Sequence, residues 1–156
     1  MATKPIPDGY HSVTPYLILN GAAKAIDFYK KAFGAVELLR MPGPDSRIGH
    51  AEIRIGNSVI MLADERPEMG YRSPQSLGGT AVSLMVYVER VDDVFKRAVA
   101  GGAKELQAVK DQFYGDRSGT LQDPFGHTWT ISTHVEDVSP EELRRRAEKF
   151  MPGANA

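Results

Sequence analysis

Apolar positions along this chain change period several times, and each change marks an element. From Val13 to Leu19 both faces are apolar, so residues 12–19 read as a buried first strand. Ala22, Ala25, Ile26, Tyr29 and Phe33 then recur at helical spacing, with Lys24, Asp27, Lys30 and Lys31 on the opposite side. Asn20 stands where an N-cap belongs, and Gly34 where a helix stops. Residues 36–41 predict a second strand and Pro42-Gly43-Pro44-Asp45 a loop. His50 to Ile55 alternates polar and apolar, a half-buried third strand. Gly56-Asn57 turns the chain into residues 58–63, a mostly apolar fourth strand.

The stretch from 64 to 80 is rich in Gly, Pro and Ser and has no period, which predicts a linker along a cavity edge. After it the same order returns. Residues 81–88 form an apolar strand, and Val91, Val94, Phe95 and Ala98 make one face of a helix that Gly101-Gly102 ends. Residues 104–109 predict a strand and 111–118 a polar loop. Residues 121–133 predict a hairpin. Pro124 and Gly126 shape its turn, and Thr128, Thr130 and Ser132 alternate with Trp129 and Ile131. The order is therefore βαβββ, linker, βαβββ. Gly34-Ala35 matches Gly102-Ala103 and Glu37-Leu38 matches Glu105-Leu106, an offset of about 68–69 residues that fits a duplicated unit. Ser139-Pro140-Glu141-Glu142 starts a last helix with a capping box, and Leu143, Ala147 and Phe150 give it an apolar stripe. The expected organisation is an arm at 1–11, one α+β domain at 12–136 (modules 12–64 and 81–136 about a linker at 65–80), and a helix and tail at 137–156.

Composition narrows the function classes. The chain has 156 residues, 42% of them hydrophobic and 25% charged, enough for one domain with a real core. A net charge of −1 gives no basic surface for nucleic acid. Arg144, Arg145 and Arg146 sit among Glu141, Glu142 and Glu148 and read as a solvated helix face. No apolar run approaches the roughly 18–20 residues of a membrane span, and residues 1–9 lack the apolar core of a signal peptide, so a cytoplasmic protein is expected. The absence of cysteine removes disulfides, thiolate nucleophiles and thiolate metal sites.

The candidate chemistry lies on the third strand and in one loop. His50 and Glu52 are two apart and share a strand face with Arg54, while Ala51, Ile53 and Ile55 take the other. The pair suits general acid–base work. His-x-Glu also suits a metal if a third donor joins it, and Asp116 is the best placed. His11, His127 and His134 are lone residues near strand ends or turns and read as surface or hydrogen-bonding histidines. Tyr114-Gly115-Asp116-Arg117 gathers polar groups in a loop, which reads equally as a site or as a simple turn with a surface ion pair. No nucleophile motif, phosphate loop or dinucleotide fingerprint is present.

Thr14-Pro-Tyr-Leu, Ala25-Ile-Asp-Phe-Tyr-Lys-Lys-Ala-Phe-Gly, Gly49-His-Ala-Glu-Ile and Asp123-Pro-Phe-Gly-His together resemble the vicinal oxygen chelate superfamily, over residues 13–134. That superfamily includes glyoxalase I, bleomycin-resistance proteins, fosfomycin-resistance enzymes and extradiol dioxygenases, and the likeness is greatest to its PhnB-like branch. The resemblance implies two βαβββ modules curved into a cupped mixed sheet, ligand inside and helices outside, often as a homodimer. By alternation the concave lining should include Tyr16, Met61, Met85, Tyr87, Thr128 and Thr130, with His50, Glu52, Arg54, Tyr114, Asp116 and Arg117 supplying polar groups. Metal-dependent relatives keep ligands at places that fall here on Thr14, Met61, Ser83 and Thr130, none a good donor for a divalent ion. The expectation is therefore no metal and no cofactor at that site, although His50 and Glu52 leave a divalent ion open. Two functions compete: a metal-free protein that sequesters a flat or partly aromatic small molecule in a dimer cavity, and a lyase or isomerase acting on a small oxygenated substrate through His50 and Glu52. The final helix adds a third option, an interaction module.

Overall fold

The fold is taken from a computed structural model, which describes residues 2–150. The residues expected to form the tail at 151–156 lie outside the described residues. The first module runs β1 (Tyr16–Leu19), α1 (Ala22–Phe33), β2 (Val36–Pro42), β3 (Ile48–Ile55) and β4 (Ser58–Asp64). The linker carries a short helix, α2 (Pro74–Leu77). The second module runs β5 (Ser83–Tyr87), α3 (Val91–Ala100), β6 (Lys104–Asp111), β7 (Asp116–Gln122) and β8 (Thr128–His134), and α4 (Pro140–Phe150) follows. Each module is a four-stranded mixed sheet, ordered β1-β4-β3-β2 and β5-β8-β7-β6, in which only the first pair is parallel. The two sheets share one connectivity, as a duplication predicts.

One core serves both modules. Leu17, Ile53 and Leu62 from the first sheet and Leu121, Trp129 and Ile131 from the second belong to a single buried cluster with α1 and α3. Tyr29 and Phe33 of α1 bring their rings to 5.4 and 4.8 Å from Trp129, so a helix of module one packs on a strand of module two. Fully burying such side chains contributes about 1.5–3 kcal/mol each. Each sheet thus spends one face on the shared core and leaves the other open.

Several boundaries differ from the sequence reading, each for a local reason. Asn20 is not the cap of α1. Gly21 holds that place with φ 97°, and Asp64 on β4 accepts from the amides of Gly21 and Ala22 at 2.9 and 2.8 Å. A carboxylate from a distant strand replaces the local side chain. The first strand begins at Tyr16 rather than residue 12, because the chain joins β4 only where Pro15 O accepts from Met61 N. The loop expected at 111–118 is a tight turn, and β7 already starts at Asp116. The linker is partly ordered. Residues 66 and 71 pair across a one-turn 3₁₀ helix (Pro67–Met69), and Ser73 caps α2. Ser139 Oγ accepts from Glu142 N as in a capping box, but the Glu142 carboxylate turns to Arg145 and Arg146 instead of back. Phe150 then stacks on Phe113 at 5.3 Å and Arg146 grips Glu136, which docks α4 on the turn before β7.

Candidate functional site

The open faces follow from strand register. Across the first sheet one rung reads Tyr16, Met61, Glu52 and Leu39. The matching rung of the second sheet reads Met85, Thr130, Thr120 and Gln107. Tyr16, Met41, Met85 and Tyr87 are 47–60% exposed, which is unusual for large apolar side chains on a sheet face. His50, Glu52 and Arg54 also stand on the first face, opposite the buried Ala51, Ile53 and Ile55.

On that face a continuous hydrogen-bonded chain forms. Tyr10, from the N-terminal arm, donates its hydroxyl to Glu52 Oε2. His50 Nε2 lies 3.1 Å from Glu52 Oε1, and His50 Nδ1 lies 2.8 Å from the Tyr16 hydroxyl. With the proton on Nε2, the imidazole donates to Glu52 and accepts from Tyr16. Glu52 is nearly buried, and the hydrogen bonds from Tyr10 and then His50 hold its carboxyl below the usual range despite that burial. Burial, with Tyr71 and Glu52 nearby, raises the Tyr16 phenol. The result is a phenol–imidazole–carboxylate relay with its phenol end at the surface.

The second face carries its own polar group. Asp116, 4% exposed, accepts from Tyr87 OH at 2.9 Å and pairs with His134 Nδ1 at 2.8 Å. Burial pushes Asp116 up, but the His134 and Tyr87 hydrogen bonds outweigh it and leave the carboxyl below its ordinary value. His134 also meets Asp137 through Nε2 at 2.8 Å, and the two carboxylates, Asp116 first, raise its pKa. Thr120 and Thr130 share a hydrogen bond of 3.0 Å between their hydroxyls.

The candidate residues therefore divide. Tyr16, His50, Glu52, Arg54 and Met61 share the first sheet's open face, and Met85, Tyr87, Asp116 and Thr130 occupy the second's. Arg117 points to the other side of β7, where its guanidinium clasps Asp92 at 2.8 Å and Asp111 at 3.1 Å. Tyr114 sits in the turn before β7, edge-on to Phe113. Asp116 does not join His50 and Glu52 within one chain, since its carboxylate is held on the other sheet. Among the described residues no three His, Asp or Glu side chains converge to hold a metal ion. Of the four places where the resemblance puts ligands, Met61, Ser83 and Thr130 lie on paired strands and offer a thioether and two hydroxyls, which do not fit a divalent cation.

Asp123-Pro-Phe-Gly-His has a structural role. Asp123, 3% exposed, accepts from Phe125 N at 2.9 Å and His127 N at 3.0 Å on one oxygen, and from Tyr29 OH at 2.6 Å and Trp129 Nε1 at 2.9 Å on the other. The turn is thereby bolted to α1, and β8 with its open-face threonines is set against the first module. His127 adds a bond between Nε2 and Ile18 O at 3.0 Å, across to the β1 edge.

Tyr10, Arg66, Met69 and Tyr71 escaped the sequence reading. Arg66, Met69 and Tyr71 line a cavity of about 350 Å³ with Tyr16, Ile18, Gly49, Ala63 and Asp64. They come from stretches without hydrophobic period. The only available signal was their type, two aromatic rings and a cation among Pro and Gly.

Comparison with known proteins agrees with this geometry. Residues 10–131 match the family model described as Glyoxalase/Bleomycin resistance protein/Dioxygenase superfamily. An uncharacterized protein of Mycobacterium tuberculosis (strain ATCC 25618 / H37Rv) is 46% identical over 136 residues, covering 85% of this chain and 80% of the relative. TioX from Micromonospora sp. ML1 has a similar structure, with TM-score 0.62 and 26% identity over 83% of this chain and all of TioX (100%). A PhnB protein from Bacillus cereus shares the fold, with TM-score 0.63 and 20% identity over 79% and 99% of the two chains.

Proposed function

The chain belongs to the Glyoxalase/Bleomycin resistance protein/Dioxygenase superfamily, and from that premise we propose that it is a metal-free small-molecule-binding protein whose cavity closes between two copies of the chain. The observation that carries this reading is the pair of uncovered sheet faces. Tyr16 and Met85, in corresponding strands, are 47% and 51% exposed because α1 and α3 occupy the sheets' other faces. A lone chain offers two half-cups. Setting the first face of one copy over the second face of its partner would cover both and enclose a space walled by Met, Tyr and Thr. Such a wall adapts to a flat or partly aromatic molecule and has few polar anchors. The donor chemistry at Met61 and Thr130 supports binding without a metal.

A second reading, a lyase or isomerase, rests on the Tyr16–His50–Glu52 relay. A phenol at the surface, backed by imidazole and carboxylate, can deliver or accept a proton. Light scattering, elemental analysis and a thermal-shift screen on untagged protein test the first reading. The expected results are a dimer, no stoichiometric metal and a rise in melting temperature with aromatic ligands. Stoichiometric metal that disappears in His50→Ala would defeat the metal-free reading, and a monomer at micromolar concentration would defeat the shared cavity.

A further inference from the structure

Arg66 combines a side chain without an ion-pair partner with a fixed position in the fold. Its side chain is half-buried, yet none of the ion pairs among the described residues includes it. Its backbone pairs with Tyr71, which fixes the position from which the guanidinium reaches. The guanidinium also lies against Gly43, where a Cβ would come within 2.6 Å of Nη2. The same Cβ would come within 3.1 Å of Arg47 O and 3.2 Å of Gly49 N, so Gly43 lets the β2–β3 loop backbone close up with the cation alongside it.

The surrounding groups show what this cation could meet. The cavity of about 350 Å³ is walled by Ile18, Ala63, Met69 and the rings of Tyr16 and Tyr71. Its one carboxylate, Asp64, already accepts from three backbone amides, Gly21 N, Ala22 N and Ile48 N at 2.9, 2.8 and 2.7 Å. Glu65, next in sequence to Arg66, is turned away to Ser73 N and Ser76 Oγ at 2.8 and 2.7 Å. An apolar cavity with an unpaired guanidinium on its wall is complementary to one class of ligand.

We propose that this cavity binds a small organic anion, a carboxylate or phosphonate on an apolar or aromatic body, with the anionic group on Arg66 and the body against Tyr16, Met69 and Tyr71. The proposal rests on the small-molecule reading above and sharpens it. Tyr16 belongs both to this wall and to the relay, so an anion held by Arg66 has its body beside the His50–Glu52 pair.

Benzoate and benzamide make a matched pair of probes, nearly equal in shape and different in charge. Protein carrying ¹³C-methyl methionine would be titrated with each at pH 7.5, reading the Met69 and Met85 methyls. Benzoate should move Met69 and bind about tenfold tighter than benzamide. Arg66→Gln should erase that preference, and Gly43→Ala should reduce it. Arg72→Gln, which alters an arginine of the neighbouring cleft, should leave it intact. If both probes bind equally well, the anion proposal fails while the small-molecule reading stands. If neither moves any methionine, both fail. If benzoate prefers the protein equally with and without the Arg66 guanidinium, the site is elsewhere and the assignment is overturned.

Discussion

Replacing Asp123 by asparagine tests whether the Asp-Pro-Phe-Gly-His turn is frame or chemistry. The carboxylate accepts four hydrogen bonds, three from groups that can only donate: Phe125 N, His127 N and Trp129 Nε1. The fourth comes from Tyr29 OH, which can reverse its role. An amide in this place has one accepting oxygen and one NH₂. With its oxygen toward the two backbone amides, the NH₂ can donate to a reversed Tyr29 hydroxyl but faces the indole N–H. One buried donor is left unpaired at about 1–3 kcal/mol, and the surviving bonds lose their charge assistance. Relief from burying a charge offsets part of that, so a net loss of about 2–4 kcal/mol is expected. For a chain of this size the melting temperature should fall by roughly 4–16 °C. Asp123→Ala orphans all four donors at about 4–12 kcal/mol, comparable with the roughly 5–15 kcal/mol that holds a domain together, and should not accumulate as folded protein. Thermal unfolding followed by circular dichroism reads both variants. If Asp123→Asn melts within about 2 °C of the parent and loses ligand binding instead, the structural account of the motif is wrong.

Two further predictions follow from other parts of the frame. Gly119→Ala should destabilise by about 1–3 kcal/mol in urea titrations, because its Cβ would sit 2.8 Å from both Phe95 Cε2 and Val109 Cγ2 in the core beneath β7. His134 has a raised pKa in the folded chain, so its contribution is complete below the ordinary histidine value near 6.5 and fades as pH rises through the higher folded value. The melting temperature of the wild type should therefore drop relative to that of His134→Gln as the pH rises above about 6.5, and parallel curves would refute the Asp116–His134–Asp137 linkage.

The fold was legible in the sequence because both of its periods were strong. Ala22 to Phe33 reads as a helix and His50 to Ile55 as a half-buried strand in the residues themselves, and burial follows those patterns. Register then carried Tyr16, Met61, Met85 and Thr130 to the open faces, since alternation within a strand needs no knowledge of its partner. Contacts that depend on chain return were not legible. Asp64 caps a helix 42 residues upstream, and nothing local in Leu-Ala-Asp distinguishes it from a strand end. Arg117 looked like a partner for Asp116, yet adjacent strand residues face opposite sides, and the structure sends it to Asp92 on α3. Arg66 and Tyr71 were hidden for the opposite reason: a stretch without period can still be ordered by its own turns and lie against a sheet.

The two rungs show what the duplication has done with equal positions. In the first sheet the rung is Tyr16, Met61, Glu52 and Leu39. The neighbouring His50 and the arm's Tyr10 both hydrogen-bond its Glu52. In the second sheet the same positions hold Met85, Thr130, Thr120 and Gln107, neutral groups of which the two threonines hydrogen-bond each other. Its ionisable cluster, Asp116 with Tyr87 and His134, lies beyond that rung at the start of β7 and is tied into the chain's own Asp137. The modules are thus equal in connectivity and unequal in chemistry. A cavity that joins one face of each kind would hold a ligand between the His50–Glu52 pair of one wall and the Thr120–Thr130 hydroxyls of the other. Polarity across such a cavity fixes the direction in which an asymmetric molecule can lie, which two identical walls could not do.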